Sequence, residues 1–214
     1  MPSSLLKFEK KLTAKIFGRR YPIVKIGNQL WMAENLDYAW EGLSVGGPWD
    51  ATIAKAYYYD NDENTYGAKG KKYGLLYNDI AVGYLRNILY DGWHIPNDIE
   101  WNTLMTTIGC PGQGDGGYGT IYYNAGTLLK SKSEWDNNGN GTDQYGFNAK
   151  PSGRISKDSL MFESIGELCE FATAFTYSSY RWLYYIRKEY NYVYYCRNSY
   201  STDAVSIRLV KNLT

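Results

Sequence analysis

The residues of this chain that are best suited to chemistry are tyrosines, and the chemistry they suit is molecular recognition. Nine of the 24 residues at 177–200 are tyrosine, and most of the others are Ser, Asn or Arg. A tyrosine ring offers a large contact area at little rotamer cost, while Ser and Asn add adaptable hydrogen bonds. Arg and Tyr are also the commonest hot spots of binding interfaces. The composition is typical of a binding surface, although an ordinary aromatic-rich sheet would use tyrosine too.

We predict that the ligand-binding side chains lie within this stretch. The candidates are its Tyr, Ser, Asn and Arg residues, namely Tyr177, Ser178, Ser179, Tyr180, Arg181, Tyr184, Tyr185, Arg187, Tyr190, Asn191, Tyr192, Tyr194, Tyr195, Arg197, Asn198 and Tyr200. Trp182, Leu183 and Ile186 interrupt the polar pattern, and we expect them to face inward as scaffold. Only part of the stretch would then contact a partner.

Groups that commonly carry catalysis are scarce. The single histidine, His94, is flanked by apolar residues and is expected to be a structural residue that is hydrogen-bonded near the core. Cys110, Cys169 and Cys196 match no metal-binding spacing, so we expect free thiols and at most one disulfide. With one histidine and three cysteines, the chain has almost no residues that could form a catalytic triad or a His-rich metal site. We predict that the protein is not an enzyme.

One loop carries part of a calcium-binding pattern. Its alternating oxygen-bearing positions are Asp136, Asn138, Asn140, Gly141 and Asp143. The bidentate glutamate that should end such a loop is missing, because Phe147 stands there. Asx-Gly turns explain the same residues without a metal. We predict no cofactor, and calcium stays open as an alternative.

Charge and hydropathy narrow the class of partner. The chain has 214 residues, with 23 Lys and Arg against 22 Asp and Glu, so no bulk field attracts nucleic acid or an anionic membrane. No apolar run reaches the roughly 18–20 residues that span a bilayer. Lysines interrupt the apolar residues near the N-terminus, so no secretory signal is expected in the sequence. Export would need a removed signal or another route.

Local patterns predict an α+β framework around these residues. Short strands are expected at 13–17, 21–26 and 29–32, and a helix at about 73–89. A second helix should start at Asn97, with Glu100 completing a capping box, and stop at Gly109. Long loops follow, and then three or four short strands at 170–210. Arg208 is expected on a solvated strand face, or paired with Glu34 or Glu100.

The domain organisation follows from the same patterns. Residues 1–12 are predicted to be a tether or short helix, and residues 13–214 a single domain. The tyrosine-rich stretch at 177–200 would form part of that domain, directly before its last strand.

Six phrases of the chain, taken in order, resemble the Fibrobacter succinogenes major paralogous domain family. They are IGNQLWMAENL at 26–36, YGLLY at 73–77, GWHIPNDIEW at 92–101, AGTLLKS at 125–131 with Trp135, GTDQYGFNA at 141–149, and VSIRLVKN at 205–212. Each phrase is short, but the six together run through nearly the whole chain.

The resemblance implies a C-type-lectin-like fold, in which two helices pack on a twisted, mostly antiparallel sheet with long loops. The family occurs in surface proteins of Bacteroidetes-type bacteria and in their phages. A related group with this fold comprises the variable proteins of diversity-generating retroelements. In those proteins, adenine-directed mutagenesis alters the C-terminal strands, and adenine-rich codons become Tyr, Asn, Ser and Arg codons. Residues 177–200 resemble such a variable region in composition and in position.

These features together predict a non-catalytic, ligand-binding variable protein. It would act as a phage receptor-binding protein or bacterial surface adhesin, on the virion or the cell surface, and bind a protein or glycan on another cell. No nucleic acid binding and no membrane insertion are expected. The alternative is a lectin-like domain that binds glycans, with or without calcium. A remote third reading, by analogy with formylglycine-generating enzymes of the same general fold, would need Cys169 and Cys196 as a reactive pair.

Overall fold

The computed structural model describes residues 12–67, 70, 73–116, 119–156, 158–177, 180–198 and 203–213. For residues 175–177, 180, 197 and 198 it describes the backbone but not the side chains. The predicted tether at 1–12 lies outside the described residues, except for Leu12.

Fourteen strands form three sheets in the described part of the chain. The first sheet has the order β1-β2-β3-β14. Its strands are β1 (Thr13–Ile16), β2 (Arg19–Ile26), β3 (Gln29–Met32) and β14 (Val210–Asn212). A small sheet contains β4 (Ser44–Val45), β5 (Lys55–Tyr57) and β6 (Leu76–Tyr77). The first three strands agree closely with the predicted ones, and β14 brings the end of the chain to β3.

The largest sheet has seven strands and carries the tyrosine-rich stretch. Its order is β10-β9-β11-β12-β13-β8-β7. The strands are β7 (Gln113–Gly114), β8 (Gly119–Tyr122), β9 (Ser152–Ile155), β10 (Phe162–Ile165), β11 (Leu168–Tyr177), β12 (Tyr180–Arg187) and β13 (Val193–Asn198). Its described pairings are antiparallel except for β9 with β11. Two of its strands, β7 and β8, therefore lie in the region after the second helix where only long loops were expected.

Side-chain caps set where the two longer helices begin. α2 (Asp79–Ile88) starts after Asn78, whose side chain accepts a hydrogen bond from the Ala81 amide. The prediction of a helix from residue 73 was wrong at its start, because β6 and this cap come first. α3 (Asp98–Thr107) begins with the predicted Asn97–Glu100 capping box. Its buried face includes Trp101, Leu104 and Met105, whereas Ile99 in the first turn is 72% exposed.

The remaining helices are short: α1 (Glu63–Tyr66), α4 (Ala125–Leu129) and a 3₁₀ turn (Tyr59–Asn61). Within the part of the chain that the structure describes, no helix combines the length and the apolar content needed to cross a bilayer. The architecture is α+β, with helices packed on mostly antiparallel sheets.

Two main apolar clusters form the core. One gathers Trp31, Trp101, Phe147, Phe171 and Tyr184 between α3, the first sheet and one face of the seven-stranded sheet. The other joins the inner residues of α2 and the first sheet to the last residues of the chain, and it also includes Ala172 and Leu183. The seven-stranded sheet is therefore packed on both faces along β11 and β12.

Residues 203–210 are buried at every position and are called the closing segment below. It forms isolated bridges from Ala204 to Ile155, from Val205 to Tyr77 and from Ser206 to Phe171. It therefore touches the small sheet and the seven-stranded sheet before entering the first sheet as β14.

Arg208 in the closing segment is fully buried, so the prediction of a solvated strand face was wrong. Its Nε donates to Asn35 Oδ1 at 2.7 Å, and Nη1 donates to the Met32 carbonyl at 2.9 Å. Further bonds go to the carbonyls of Phe147 and Asn148. Burial lowers the pKa of Arg208 to about 10. The guanidinium is therefore hydrogen-bonded by carbonyl and amide oxygens, and Glu34 acts on it only as a nearby charge.

Candidate ligand-binding surface

The tyrosine-rich stretch is a hairpin formed by β12 and β13. Tyr184 pairs with Tyr195, and Tyr185 pairs with Tyr194. Because successive residues of a strand point to opposite faces of the sheet, the two pairs of tyrosines lie on opposite faces. One pair is directed toward the core, and the other away from it.

The inward pair is part of the scaffold. Tyr184 is 0% exposed, and its ring stacks on Trp101 with centroids 4.6 Å apart. Tyr195 stacks on Tyr184 at 4.5 Å, and Trp182 stacks on Tyr195 at 4.8 Å. Burial raises the pKa of Tyr184 well above its usual range. These stacked rings tie the hairpin to α3, and Tyr184 is fully covered, whereas Trp182 and Tyr195 are half-buried.

The outward side chains form what is called the tyrosine surface below. It consists of Asp115, Tyr123, Tyr185, Arg187, Tyr190, Asn191, Tyr192 and Tyr194. The rings contact one another: Tyr185 meets Tyr194 edge-on at 5.2 Å, and Tyr190 stacks on Tyr192 at 4.6 Å. Tyr123 meets Tyr192 edge-on at 6.3 Å. Tyr190 is 42% exposed, so the cluster is open to a ligand.

Two residues of the tyrosine surface come from outside the predicted stretch. The Tyr194 hydroxyl donates to the Asp115 carboxylate, and this bond raises the pKa of Tyr194 to about 12. A Cβ at Gly119 would overlap the Tyr194 hydroxyl, so glycine lets this ring lie across β8. Tyr123 is 50% exposed and follows β8 directly. Both residues enter the surface because β8 pairs with β13.

A buried charge cluster borders the tyrosine surface. Glu170 pairs across the sheet with Tyr185, and its carboxylate accepts a hydrogen bond from Arg154 at 3.2 Å. Arg154 also lies 3.6 Å from Asp203. Burial raises the pKa of Glu170 to about 7, against the opposing effect of Arg154. The tyrosine surface therefore lies beside two buried carboxylates, Glu170 and Asp203, that pair with the half-buried Arg154.

The structure separates the predicted site residues into groups. Tyr185, Arg187, Tyr190, Asn191, Tyr192 and Tyr194 lie together on the tyrosine surface. Arg181 is 2% exposed and pairs with Asp79, and Tyr184 is fully buried, so these two are corrected to scaffold. Tyr195 stacks on Tyr184 but is only half-buried. The side chains of Tyr177, Ser178, Ser179, Tyr180, Arg197, Asn198 and Tyr200 lie outside the described set.

The expected inward residues Trp182, Leu183 and Ile186 are all covered at least in part, but not by one core. Ile186 packs in the cluster around Trp101, whereas Leu183 packs on the opposite face of the sheet. On the face that carries Leu183, the core covers the first half of β12, and the tyrosine surface begins at Tyr185 toward its other end.

Residues considered for other chemistry have local structural partners. His94 Nε2 lies 2.5 Å from Glu100 Oε1, and Nδ1 lies 2.8 Å from the Gly92 carbonyl. In the loop with the partial calcium pattern, Asn140 Oδ1 accepts from the Trp135 amide. Asp143 Oδ1 likewise accepts from a backbone amide, that of Asn148. Among the described residues, no three His, Cys, Asp or Glu side chains are grouped as metal ligands.

The three cysteines are free thiols in the structure. Burial raises the pKa of Cys169 and of Cys196 to about 12. Burial therefore disfavours the thiolate form of both side chains.

The sequence of this chain matches one protein family. The Fibrobacter succinogenes major domain matches residues 24–211. This chain belongs to that family. The matched span of the Fibrobacter succinogenes major domain includes α2, α3, the tyrosine surface and the closing segment. No curated protein and no solved structure gave a match.

Proposed function

We propose that this Fibrobacter succinogenes major domain protein is a non-catalytic binding protein that recognises its ligand through the tyrosine surface. We further propose a C-type-lectin-like fold and a role as the variable protein of a diversity-generating retroelement. It would act on a phage virion or bacterial cell surface as a receptor-binding protein or adhesin. The partner would be a protein or glycan exposed on a cell.

One observation carries this proposal: the hairpin sorts its tyrosines between the two faces of the sheet. The inward rings are fixed by Trp101, and the outward rings are half-exposed and touch one another, with Arg187 over the Tyr185 ring. Rigid tyrosines with a polar rim lose little entropy on binding, which is why binding proteins use them. The composition of 177–200 and its position before the closing segment support diversification.

Binding is tested by removing the outward rings. The triple variant Tyr190→Ser, Tyr192→Ser and Tyr194→Ser is compared with the control Tyr84→Ser, Tyr90→Ser. The control tyrosines are 47% and 51% exposed but lie elsewhere on the molecule. Binding of labelled protein to a panel of Bacteroidetes-type cells and to a glycan array should fall at least about tenfold for the triple variant and less than about twofold for the control.

An equal loss in both variants, or no loss in the triple variant, contradicts the proposal. Binding confined to glycans and abolished by a calcium chelator would instead favour the lectin-like alternative. Exposed stacked tyrosines such as Tyr190 and Tyr192 suit that alternative as well, since flat rings can pack on the apolar face of a sugar.

Diversification is tested on the gene. Codons 177–200 should differ from a nearby near-repeat mainly where the repeat has adenine. Differences spread evenly along the gene, or an identical repeat, would reject the retroelement role while leaving the binding role intact.

A further inference from the structure

Lys130 follows α4 and is buried against the connection between β12 and β13. The residue is 4% exposed. Its Nζ donates to three main-chain carbonyls: those of Arg187 at 3.4 Å, Lys188 at 3.3 Å and Tyr190 at 3.0 Å. It also lies 5.3 Å from the centre of the Trp135 ring. Burial of the ammonium lowers the pKa of Lys130 and costs free energy, which these contacts must offset.

Residues of α4 hold the same connection through its main chain. The Thr127 amide donates to the Asn191 carbonyl at 3.2 Å. A Cβ at Gly126 would lie 2.7 Å from the Tyr192 carbonyl oxygen, so only glycine permits this approach without a shift. Gly126, Thr127 and Lys130 together therefore contact five main-chain carbonyls. These are the carbonyls of Arg187, Lys188, Tyr190, Asn191 and Tyr192. None of these contacts involves a side chain of the connection.

The side chains at the end of the connection, residues 190–192, face the other way. Tyr190 is 42% exposed, and Asn191 is exposed. Tyr192 is covered in part by Tyr190 and Tyr123, which belong to the same surface. At residues 190–192, the main chain is therefore contacted by Gly126, Thr127 and Lys130, whereas the side chains contact solvent and one another.

We propose that Lys130 is a positioning residue that, with Gly126 and Thr127, holds the β12–β13 connection through main-chain atoms. The side chains at Tyr190, Asn191 and Tyr192 can then be exchanged without loss of the connection's structure. The biological value of this tolerance rests on the proposed function, because a diversified binding surface needs positions that accept many residues. The physical statement itself requires no ligand.

Amide hydrogen exchange on the full chain tests the proposal. Four proteins are compared: the natural sequence, Lys130→Met, Lys130→Arg, and the connection variant Tyr190→Ser, Asn191→Ala, Tyr192→Ser. Exchange is followed in a peptide covering 187–192 and in a control peptide covering 98–107 in α3. Lys130→Met keeps the approximate length of the side chain but removes its charge and donors. Lys130→Arg keeps the charge and the donors.

We expect Lys130→Met to accelerate exchange at 187–192 by about tenfold or more while the α3 peptide is unchanged. Lys130→Arg should accelerate it less. The connection variant, which alters three side chains, should change it by less than about threefold.

The proposal is overturned if the connection variant loosens 187–192 as much as Lys130→Met does, or if Lys130→Met leaves exchange there unchanged. If Lys130→Met unfolds the whole chain, seen as fast exchange at 98–107 too, the connection variant decides: retained protection supports the proposal and lost protection overturns it. A protein that binds no cell or glycan but keeps this pattern would refute the proposed function alone.

Discussion

The closing segment and the β12–β13 connection lie close together in the sequence, yet the fold buries the side chains throughout in only one of them. The closing segment is buried at every position, and the Arg208 side chain donates to Asn35 and to the backbone carbonyls of Met32, Phe147 and Asn148. The connection receives hydrogen bonds from Lys130 at its own carbonyls, and its Tyr190 and Asn191 side chains are exposed. A segment with buried side chains tolerates few residues, whereas a segment held by its main chain with exposed side chains tolerates many. The same protein thus contains a strictly specified region beside a permissive one.

The largest expected effect on stability comes from Arg208 in the closing segment. Arg208→Met should lower the free energy of unfolding by about 4 kcal/mol or more, because several buried acceptors lose their donor at once. Urea unfolding followed by circular dichroism measures the change. The control is Arg20→Met, an exposed arginine whose described hydrogen bond is a 3.5 Å contact to Thr13. A loss below about 1 kcal/mol for Arg208→Met would break the comparison.

Adjacent tyrosines provide the second test, because they differ in face but not in chemistry. Tyr184→Ala should cost about 3–4 kcal/mol, since it leaves a cavity beside Trp101. Tyr185→Ala should cost about 1 kcal/mol, because its ring is half-buried on the tyrosine surface. Each variant serves as the control of the other in the same unfolding assay. Equal costs would show that the two faces are not energetically distinct.

The smallest effect concerns pH and the anchoring of the closing segment. The His94 amide donates to the Val210 carbonyl at 3.0 Å, and Glu100 raises the pKa of His94 above its ordinary value of 6.5. The folded state therefore gains stability that is complete below pH 6.5 and is lost as pH rises through the folded-state pKa. Since the His94 side chain is 39% exposed, the gain should stay below about 1 kcal/mol.

The measurement is the difference in unfolding free energy between the natural sequence and His94→Gln at about pH 5.5 and about pH 8.5. The difference should be larger at the lower pH. Amide exchange should respond in the closing segment and not at 187–192. A difference independent of pH would show that the His94–Glu100 pair does not contribute through its charge.

Local signals in the sequence were sufficient for some of these features. The Asn97–Glu100 capping box could be predicted because both partners lie within one helical turn. The tyrosine stretch was recognisable by composition alone. Composition did not distinguish Tyr184 from Tyr185, because the face that each occupies depends on strand register and on the position of Trp101.

Features set by distant contacts were missed. Asp115 meets Tyr194 across 79 residues of chain, and nothing in its glycine-rich surroundings marks it as part of a binding surface. Arg208 alternates with Ile207 and Leu209, so the pattern predicted an exposed strand face. That pattern fails because elements from three sheets enclose the closing segment on all sides. Burial of a polar residue in this way depends on topology, which local periodicity does not report.

The position of the closing segment also constrains when the protein can fold. Arg208 and Asn35 are 173 residues apart in sequence, and β14 completes a sheet begun by β1, β2 and β3. Contacts of such long range form slowly, because a large loop must close before they contribute stability. During synthesis, the first sheet therefore lacks its last strand until residues 210–212 have left the ribosome. The tyrosine hairpin has been translated by then, so it can form before the first sheet is complete.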